Sequence, residues 1–344
     1  MLTRIQRRLT RTLRTLFTGH AEPLTLRAIP SISKEEVAEA REFFPLDKFF
    51  IFGHARSGTT LLARLVRVHP EVHCNWQAHF FTRPPLLAGL AQDERIEAWL
   101  ARRSNRWNRG RDLTPVALRA MADYILERDA RREGAKVVGD KSPNVLTNGE
   151  AVKHMHSIYP DSKLIYIVRD GRDTLISHRF QNFIDGPQFL PPEDLRIRDD
   201  FARNPDPYFT GQKSLFTSKA FERMASGWVK NIEETDGKGK ELYGEQYLSL
   251  RYEDLLNDPF DEISKVWAFL AVDPQGQQEA VSAEMSSNPD AAWQKEKAGE
   301  LVANLEKGKR GSWRDLFTVQ DKQRFKATAG QTLIDWGYEQ DMEW

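Results

Sequence analysis

Eight consecutive residues constrain this chain more than any others: Gly53-His54-Ala55-Arg56-Ser57-Gly58-Thr59-Thr60. They follow a short apolar run, Lys48-Phe49-Phe50-Ile51-Phe52-Gly53, whose length and composition predict a buried strand. They lead into Thr60 to Val68, where Leu61, Leu62, Leu65 and Val66 share one side of a predicted helix. A strand, a loop with glycines at both ends and a helix start aim backbone N–H groups and a helix N-terminus at one spot, a geometry that receives an anionic phosphate. A nucleotide-hydrolase loop of this shape reads G-x-x-x-x-G-K-[ST]. Here Thr59 stands where that lysine belongs, while Thr60 keeps the hydroxyl position. The charge that holds β- and γ-phosphates is therefore missing, and Arg56 supplies a cation inside the loop instead. Hydrolysis of ATP or GTP is not expected. A glycine turn with no ligand is the plain alternative.

The rest of the chain alternates strands and helices. Lys136-Val137-Val138-Gly139-Asp140 and Lys163-Leu164-Ile165-Tyr166-Ile167-Val168 each predict a buried strand ahead of a helical stretch, and Tyr247-Leu248-Ser249-Leu250 predicts a fourth. Thr114 to Arg132 predicts a helix with Thr114 as N-cap, Pro115 at the first helical position, and Leu118, Met121 and Ile125 turned inward. This order predicts an α/β fold of three layers, a central, mostly parallel sheet of four or five strands with helices on both faces. Such sheets bind their ligands beyond the carboxyl ends of the strands, so chemistry is expected just after Phe52, Val138 and Val168. One domain is expected over 46–344, with excursions at 93–112, rich in arginine and tryptophan, and 184–215, rich in proline and aspartate, covering one face.

Composition narrows the setting. The 344 residues carry 50 basic and 50 acidic side chains, a formal net charge of zero, which gives no reason to expect a nucleic-acid partner. A single cysteine, Cys74, cannot close an internal disulfide, so nothing asks for an oxidising compartment and the cytoplasm is expected. No apolar run approaches the ~18 residues that a membrane span needs. Residues 1–45 are expected to form an N-terminal extension. Its first 20 residues hold five arginines and no acid, with Leu2, Ile5, Leu9, Leu13, Leu16 and Phe17 at helical spacing. Such a stripe either packs on the domain or lies on an anionic membrane surface.

Phe50 to Leu62, through Arg56-Ser57-Gly58-Thr59-Thr60, resembles the 5′-phosphosulfate loop of sulfotransferases that use 3′-phosphoadenosine 5′-phosphosulfate (PAPS), in the Arg-Ser-Gly form of bacterial, tyrosylprotein and some carbohydrate members. A second stretch, Val168-Arg169-Asp170-Gly171-Arg172-Asp173-Thr174-Leu175-Ile176-Ser177, is similar to the family's 3′-phosphate motif, in which the strand-end arginine and a serine eight residues on bind that phosphate. The spacing makes physical sense: Arg169 at a strand tip offers a bidentate fork, and Ser177 can present its hydroxyl from the same side two helical turns on. The alternative is a structural cluster in which Arg169 and Arg172 pair with Asp170 and Asp173. A third stretch, Gly308-Lys309-Arg310-Gly311-Ser312-Trp313, resembles the basic loop that closes over the nucleotide, and implies Lys309, Arg310 and Gly311 as further contacts. Tyr252-Glu253-Asp254-Leu255 also looks familial, in a structural role. The resemblance implies a P-loop nucleoside-triphosphate-hydrolase-like fold, with PAPS as co-substrate, adenosine 3′,5′-bisphosphate as product and no metal, and it assigns Arg56, Ser57, Gly58, Thr59, Thr60, Arg169 and Ser177 to the donor.

Sulfuryl transfer needs positioning, neutralisation of negative charge and a base for the attacking hydroxyl. Arg56 can stabilise charge on the bridging oxygen, although its permanent charge makes it a poor proton donor. Asn75-Trp76-Gln77-Ala78-His79-Phe80-Phe81 resembles the Glu-x-His-Phe-Phe segment of heparan sulfate 3-O-sulfotransferases, whose glutamate serves as base. Gln77 holds that position here and cannot take a proton. His79 is therefore the first candidate base; an aromatic-flanked core histidine is the alternative. Gly139-Asp140-Lys141-Ser142-Pro143 resembles a segment whose lysine touches the sulfuryl group, which implies that role for Lys141 and leaves Asp140 as second candidate base, lysine partner or helix cap. The acceptor is expected to be a hydroxyl or amine of a carbohydrate, small alcohol, phenol or peptide tyrosine, beneath the excursions. Trp99, Arg102, Arg103, Arg106, Trp107, Arg109 and Arg111 would suit an anionic sugar or acidic peptide, or form a solvated face. A kinase-like phosphotransferase and a nucleotide-binding homologue without catalysis are the rival readings.

Overall fold

Phe49, Phe50, Ile51 and Phe52 are each no more than 1% exposed because β1 (Asp47–Phe52) runs through the middle of a sheet covered on both faces. In the computed structural model, which describes residues 29–83, 89–91, 93–144, 146, 148–287 and 311–344, β1 is flanked by β3 (Val137–Lys141) and β4 (Lys163–Val168). Outside them lie β2 (Val72–Trp76) and β5 (Tyr247–Arg251), giving the order β2-β3-β1-β4-β5 with every pair parallel. The basic segment 1–20, Lys309 and Arg310 lie outside the described residues. Among the described residues no helix is long and apolar enough to cross a membrane.

Strand alternation builds two cores. Phe50, Phe52, Val138, Leu164, Tyr166 and Val168 face a cluster with Leu118, Leu126, Met155, Phe183 and Trp228, from the helices Thr114–Ala130, Glu150–Ile158, Gly171–Asp185 and Ser218–Tyr243. Phe49, Ile51, Val137, Ile165 and Ile167 face the opposite cluster with Leu62, Leu65 and Val66 of the helix Thr59–Val66 and with Ile263, Val266 and Trp267 of the helix Pro259–Phe269. The fold is therefore a three-layer α/β sandwich with a five-stranded parallel sheet.

β2 has no counterpart among the predicted strands. Its sequence, Val72-His73-Cys74-Asn75-Trp76, breaks its apolar pattern with a histidine and an asparagine, which tertiary structure accommodates: His73 Nδ1 lies 2.6 Å from Glu133 Oε2, and Asn75 Nδ2 donates to Gly139 O at 3.3 Å. The helix from Thr114 also differs from expectation. Thr114 lies within the helix, and the side chain that accepts from its backbone N–H, at 3.0 Å, is that of Asp112. Leu118 is buried, but Met121 and Ile125 are each 39% exposed. The inward face instead carries Arg119, Asp123 and Glu127, paired with Asp161, Tyr159 and Lys48 beneath the sheet. Buried charges of this kind persist only when paired and hydrogen-bonded.

The excursions are ordered. In 93–112 the helix Glu94–Ala101 is capped by Asp93, and Trp99 stacks on Trp107 with centroids 5.0 Å apart, both rings exposed. In 184–215 the helices Pro192–Arg203 and Asp206–Phe209 insert Phe201 and Tyr208 into the core, and Arg179 pairs with Asp194 at 2.7 Å.

Candidate active site

The loop leaving β1 bends back on itself, with Ser57 N donating to His54 O at 3.1 Å. Gly58 then caps the helix Thr59–Val66 in the left-handed region, at φ 88°. A Cβ there would meet the Tyr252 ring at 2.1 Å, so glycine is required both for backbone sign and for space. Arg56 holds φ 74°, a sparsely populated conformation for a residue with a side chain, of the kind that clusters at functional sites. Beneath the loop, Ser57 Oγ is buried with no hydrogen-bond partner among the described residues. A buried hydroxyl left without a partner in a phosphate-type loop suits an anionic ligand.

The second motif meets the first. At the end of β4, Arg169 Nη1 donates to Arg56 O at 3.3 Å, and its guanidinium lies 5.0 Å from the Tyr252 ring centroid. Arg56 Nε in turn donates to Ser177 Oγ at 3.0 Å. Trp228 Nε1 fixes the Arg169 carbonyl from behind at 3.2 Å. Arg172 fits the structural-cluster alternative; Arg169 reaches the loop, and its charge also acts on Asp173. Arg172 pairs with Asp170 at 2.7 Å and with Glu339, and its guanidinium is sandwiched between Trp313 and Trp344 at 4.0 and 4.5 Å. Asp173 accepts from Gly311 N at 2.7 Å and Trp313 N at 3.3 Å. Gly311 is thereby tied to the start of the helix Gly171–Asp185; Lys309 and Arg310, just before it, lie outside the described residues.

A cavity of about 300 Å³ opens between the motifs. Arg56, Gly58, Thr59, Thr60, Gln77, Arg169 and Ser177 all line it, so the structure brings these sequence-derived candidates together. Tyr252, expected to be structural, lines it as well. So do Glu284 and Met285 of the helix Gln278–Ser287, which no sequence signal marked; Glu284 is held by Arg64. Lys141, at the end of β3, is 1% exposed, with Nζ 3.3 Å from Thr60 Oγ1 and 5.0 Å from the Trp76 ring centroid. Cations thus converge on the helix N-terminus. Among the described residues, no three His, Cys, Asp or Glu side chains gather as a metal site requires.

Asp140, His79 and Gln77 form one hydrogen-bonded turn behind this cavity. The Asp140 carboxylate accepts from Ala78 N at 3.0 Å and from the Ser142 hydroxyl at 2.5 Å, while Ser142 Oγ accepts from His79 N at 3.0 Å. Gln77 N donates to Lys141 O at 2.8 Å. The turn holds Gln77 and His79 at φ 53° and 51°. Burial pushes the Asp140 carboxyl up to about 6. Burial, with help from Arg83 and Lys141, pushes the His79 imidazole down to about 4, so it is neutral near pH 7. His79 Nδ1 lies 2.8 Å from Thr82 Oγ1, while Nε2 is buried without a partner among the described residues. The ring is buried and keeps one hydrogen bond, as the core-histidine alternative has it; the unpartnered Nε2 is what the base reading uses.

Comparison with known proteins gives the family. Residues 48–275 match the family model for the sulfotransferase family, well over half of the chain, so this chain belongs to that family. It is 23% identical over 330 residues to Nodulation protein NoeE of Sinorhizobium fredii, covering 88% of this chain and 69% of that protein. It is 31% identical over 131 residues to Protein-tyrosine sulfotransferase 2 of Gallus gallus, covering 37% of this chain and 32% of that one. A third relative, Heparan sulfate glucosamine 3-O-sulfotransferase 3B1 of Homo sapiens, is 24% identical over 228 residues, 66% of this chain and 46% of that protein. The chain therefore matches less than half the length of the last two. The family supports sulfuryl transfer in general, which speaks against the kinase-like alternative.

Proposed function

We propose that the chain transfers a sulfuryl group from PAPS to a hydroxyl of an acceptor and releases adenosine 3′,5′-bisphosphate. One observation supports this reading above the others: the bond from Arg56 Nε to Ser177 Oγ, 3.0 Å long between residues 121 apart in sequence, joins the two candidate phosphate motifs at one cavity. In this reading, Ser57, Thr59, Thr60 and Arg56 receive the 5′-phosphosulfate end, and Arg169 and Ser177 receive the 3′-phosphate. Lys309 and Arg310 are further nucleotide contacts in this reading. The acceptor oxygen forms a bond to sulfur as the bond from sulfur to the 5′-phosphate oxygen breaks, and that electron pair leaves with the bisphosphate. Arg56 and Lys141 neutralise the charge that develops on the bridging and sulfuryl oxygens.

The acceptor proton goes to His79 Nε2 in this account. Gln77 borders the cavity and can orient the acceptor hydroxyl, and Asp140 acts as a positioning residue that holds the turn. Labelled sulfate from PAPS, offered with carbohydrate, phenol and tyrosine-peptide acceptors, tests the reading. Product that forms with the parent chain and falls by ~10²-fold or more in Arg56→Ala supports it. Bisphosphate binding without transfer to any acceptor class overturns the enzymatic reading and leaves a nucleotide-binding protein.

A further inference from the structure

Ala55 lines a second cavity as well, of about 250 Å³, so the two cavities share the phosphate loop. They also divide one helix: Ser177 lines the first and His178 the second. The second cavity has polar walls. His54 comes from the loop, His178 and Asn182 from the helix Gly171–Asp185, and Arg223 from the helix Ser218–Tyr243, over an apolar floor that includes Leu146 and Met224.

These polar groups have little to do within the protein. Among the described residues, neither the His178 ring nor the Asn182 amide makes a side-chain hydrogen bond, and the exposed Arg223 makes no ion pair within 4 Å, although its charge acts on Asp194. The His54 and His178 rings meet edge to face at 5.8 Å, and His54 Nδ1 is taken by Ala55 O at 2.9 Å, which leaves Nε2 as an acceptor. Burial, reinforced by His54, Arg56 and Arg223, pushes His178 down to about 4, and burial lowers His54 as well, so both rings are uncharged near pH 7. A neutral imidazole and a carboxamide each both donate and accept, as hydroxyl groups do. A guanidinium prefers a carboxylate. The apolar floor suits the C–H face of a ring, and the volume, just below the usual range of ligand cavities, limits the occupant to one ring.

We propose that this cavity is the acceptor site, and that it takes a hydroxyl-rich ring bearing a carboxylate, a uronic acid residue of a glycan, with Arg223 on the carboxylate and His54, His178 and Asn182 on its hydroxyls. This rests on the sulfuryl-transfer reading: the ring sits in the second cavity and one of its hydroxyls reaches past Ala55 to Gln77 in the first, where its oxygen bonds to sulfur as the bond from sulfur to the 5′-phosphate oxygen breaks, its proton passes to His79, and the bisphosphate leaves with the electron pair. The exposed Trp99–Trp107 stack borders neither cavity.

The test uses the full chain with labelled PAPS and three probes: methyl β-D-glucuronide, methyl β-D-glucoside and 4-nitrophenol. The expected result is kcat/KM for the glucuronide about tenfold above the glucoside, with 4-nitrophenol lowest. Arg223→Gln shrinks that ratio toward one, and Asn182→Ala raises KM for both glycosides. Calorimetry shows adenosine 3′,5′-bisphosphate binding unchanged in both variants. A ratio near one in the parent chain, a ratio that survives Arg223→Gln, a preference for 4-nitrophenol, or no sulfation of either glycoside while the bisphosphate still binds overturns the acceptor assignment. Failure of the parent chain to bind the bisphosphate would instead overturn the donor reading on which it rests.

Discussion

At the residue scale, the site divides its work between groups that touch a ligand and groups that hold them. Arg169 donates to the Arg56 carbonyl and Arg56 donates to the Ser177 hydroxyl, so Arg56 is restrained from both motifs. Pre-placed charge of this kind costs little reorganisation when an anion arrives. His79 and Asp140 can be told apart by pH. If His79 takes the proton, the acid limb of kcat/KM lies near 4, because burial holds its imidazole neutral well below the usual range. A limb near 6 would assign the proton to Asp140. On the same account His79→Ala lowers kcat by ~10²- to 10⁴-fold. Asp140→Asn, which removes charge but can keep accepting hydrogen bonds, costs less. Full turnover in His79→Ala together with loss in Asp140→Asn would reverse the assignment.

At the element scale, legibility followed locality. Both phosphate motifs were readable because each is a continuous strand–loop–helix segment whose glycines, cations and hydroxyls are fixed by short-range geometry. β2 was not, because its polar residues are satisfied by partners as distant in sequence as Glu133 and Gly139. The helix Thr114–Ala130 misled for the opposite reason: apolar Met121 and Ile125 point outward, while Asp123 and Glu127 are buried against Lys48. Truncation can test that orientation. Leu126→Ala, at a site that is 0% exposed, should cost about 2–5 kcal/mol of unfolding free energy. Ile125→Ala should stay within about 0.5 kcal/mol. Equal losses in denaturant titrations would contradict the buried face. The second cavity was illegible because the loop, Leu146 and two helices each supply only part of its lining, and no single stretch of sequence carries its pattern.

At the scale of the whole molecule, the sheet gathers segments far apart in sequence at one carboxyl edge, where the ends of β1, β3 and β4 supply the loop, Lys141 and Arg169. Placing neutral histidines there carries a consequence for stability. His79 and His178 are pushed from 6.5 to about 4 in the folded chain, so the unfolded chain binds protons first. Each therefore lowers stability as pH falls through the window from 6.5 to about 4, and neither does so above it. Asp140, raised from 3.8 to about 6, has the opposite sign: its contribution is present at low pH and lost as pH rises through that window. Relative to the parent chain, His178→Gln should thus gain in Tm between pH 6.5 and 4, with no such pH-dependent gain above 6.5. A parallel offset at every pH would contradict the histidine linkage. The most direct test of the central claim is calorimetric titration with adenosine 3′,5′-bisphosphate, with ATP and magnesium in parallel. The account predicts that the bisphosphate binds and that Arg169→Ala weakens it by about 10- to 100-fold. Binding of ATP with magnesium alone, or undiminished bisphosphate binding in Arg169→Ala, would contradict it.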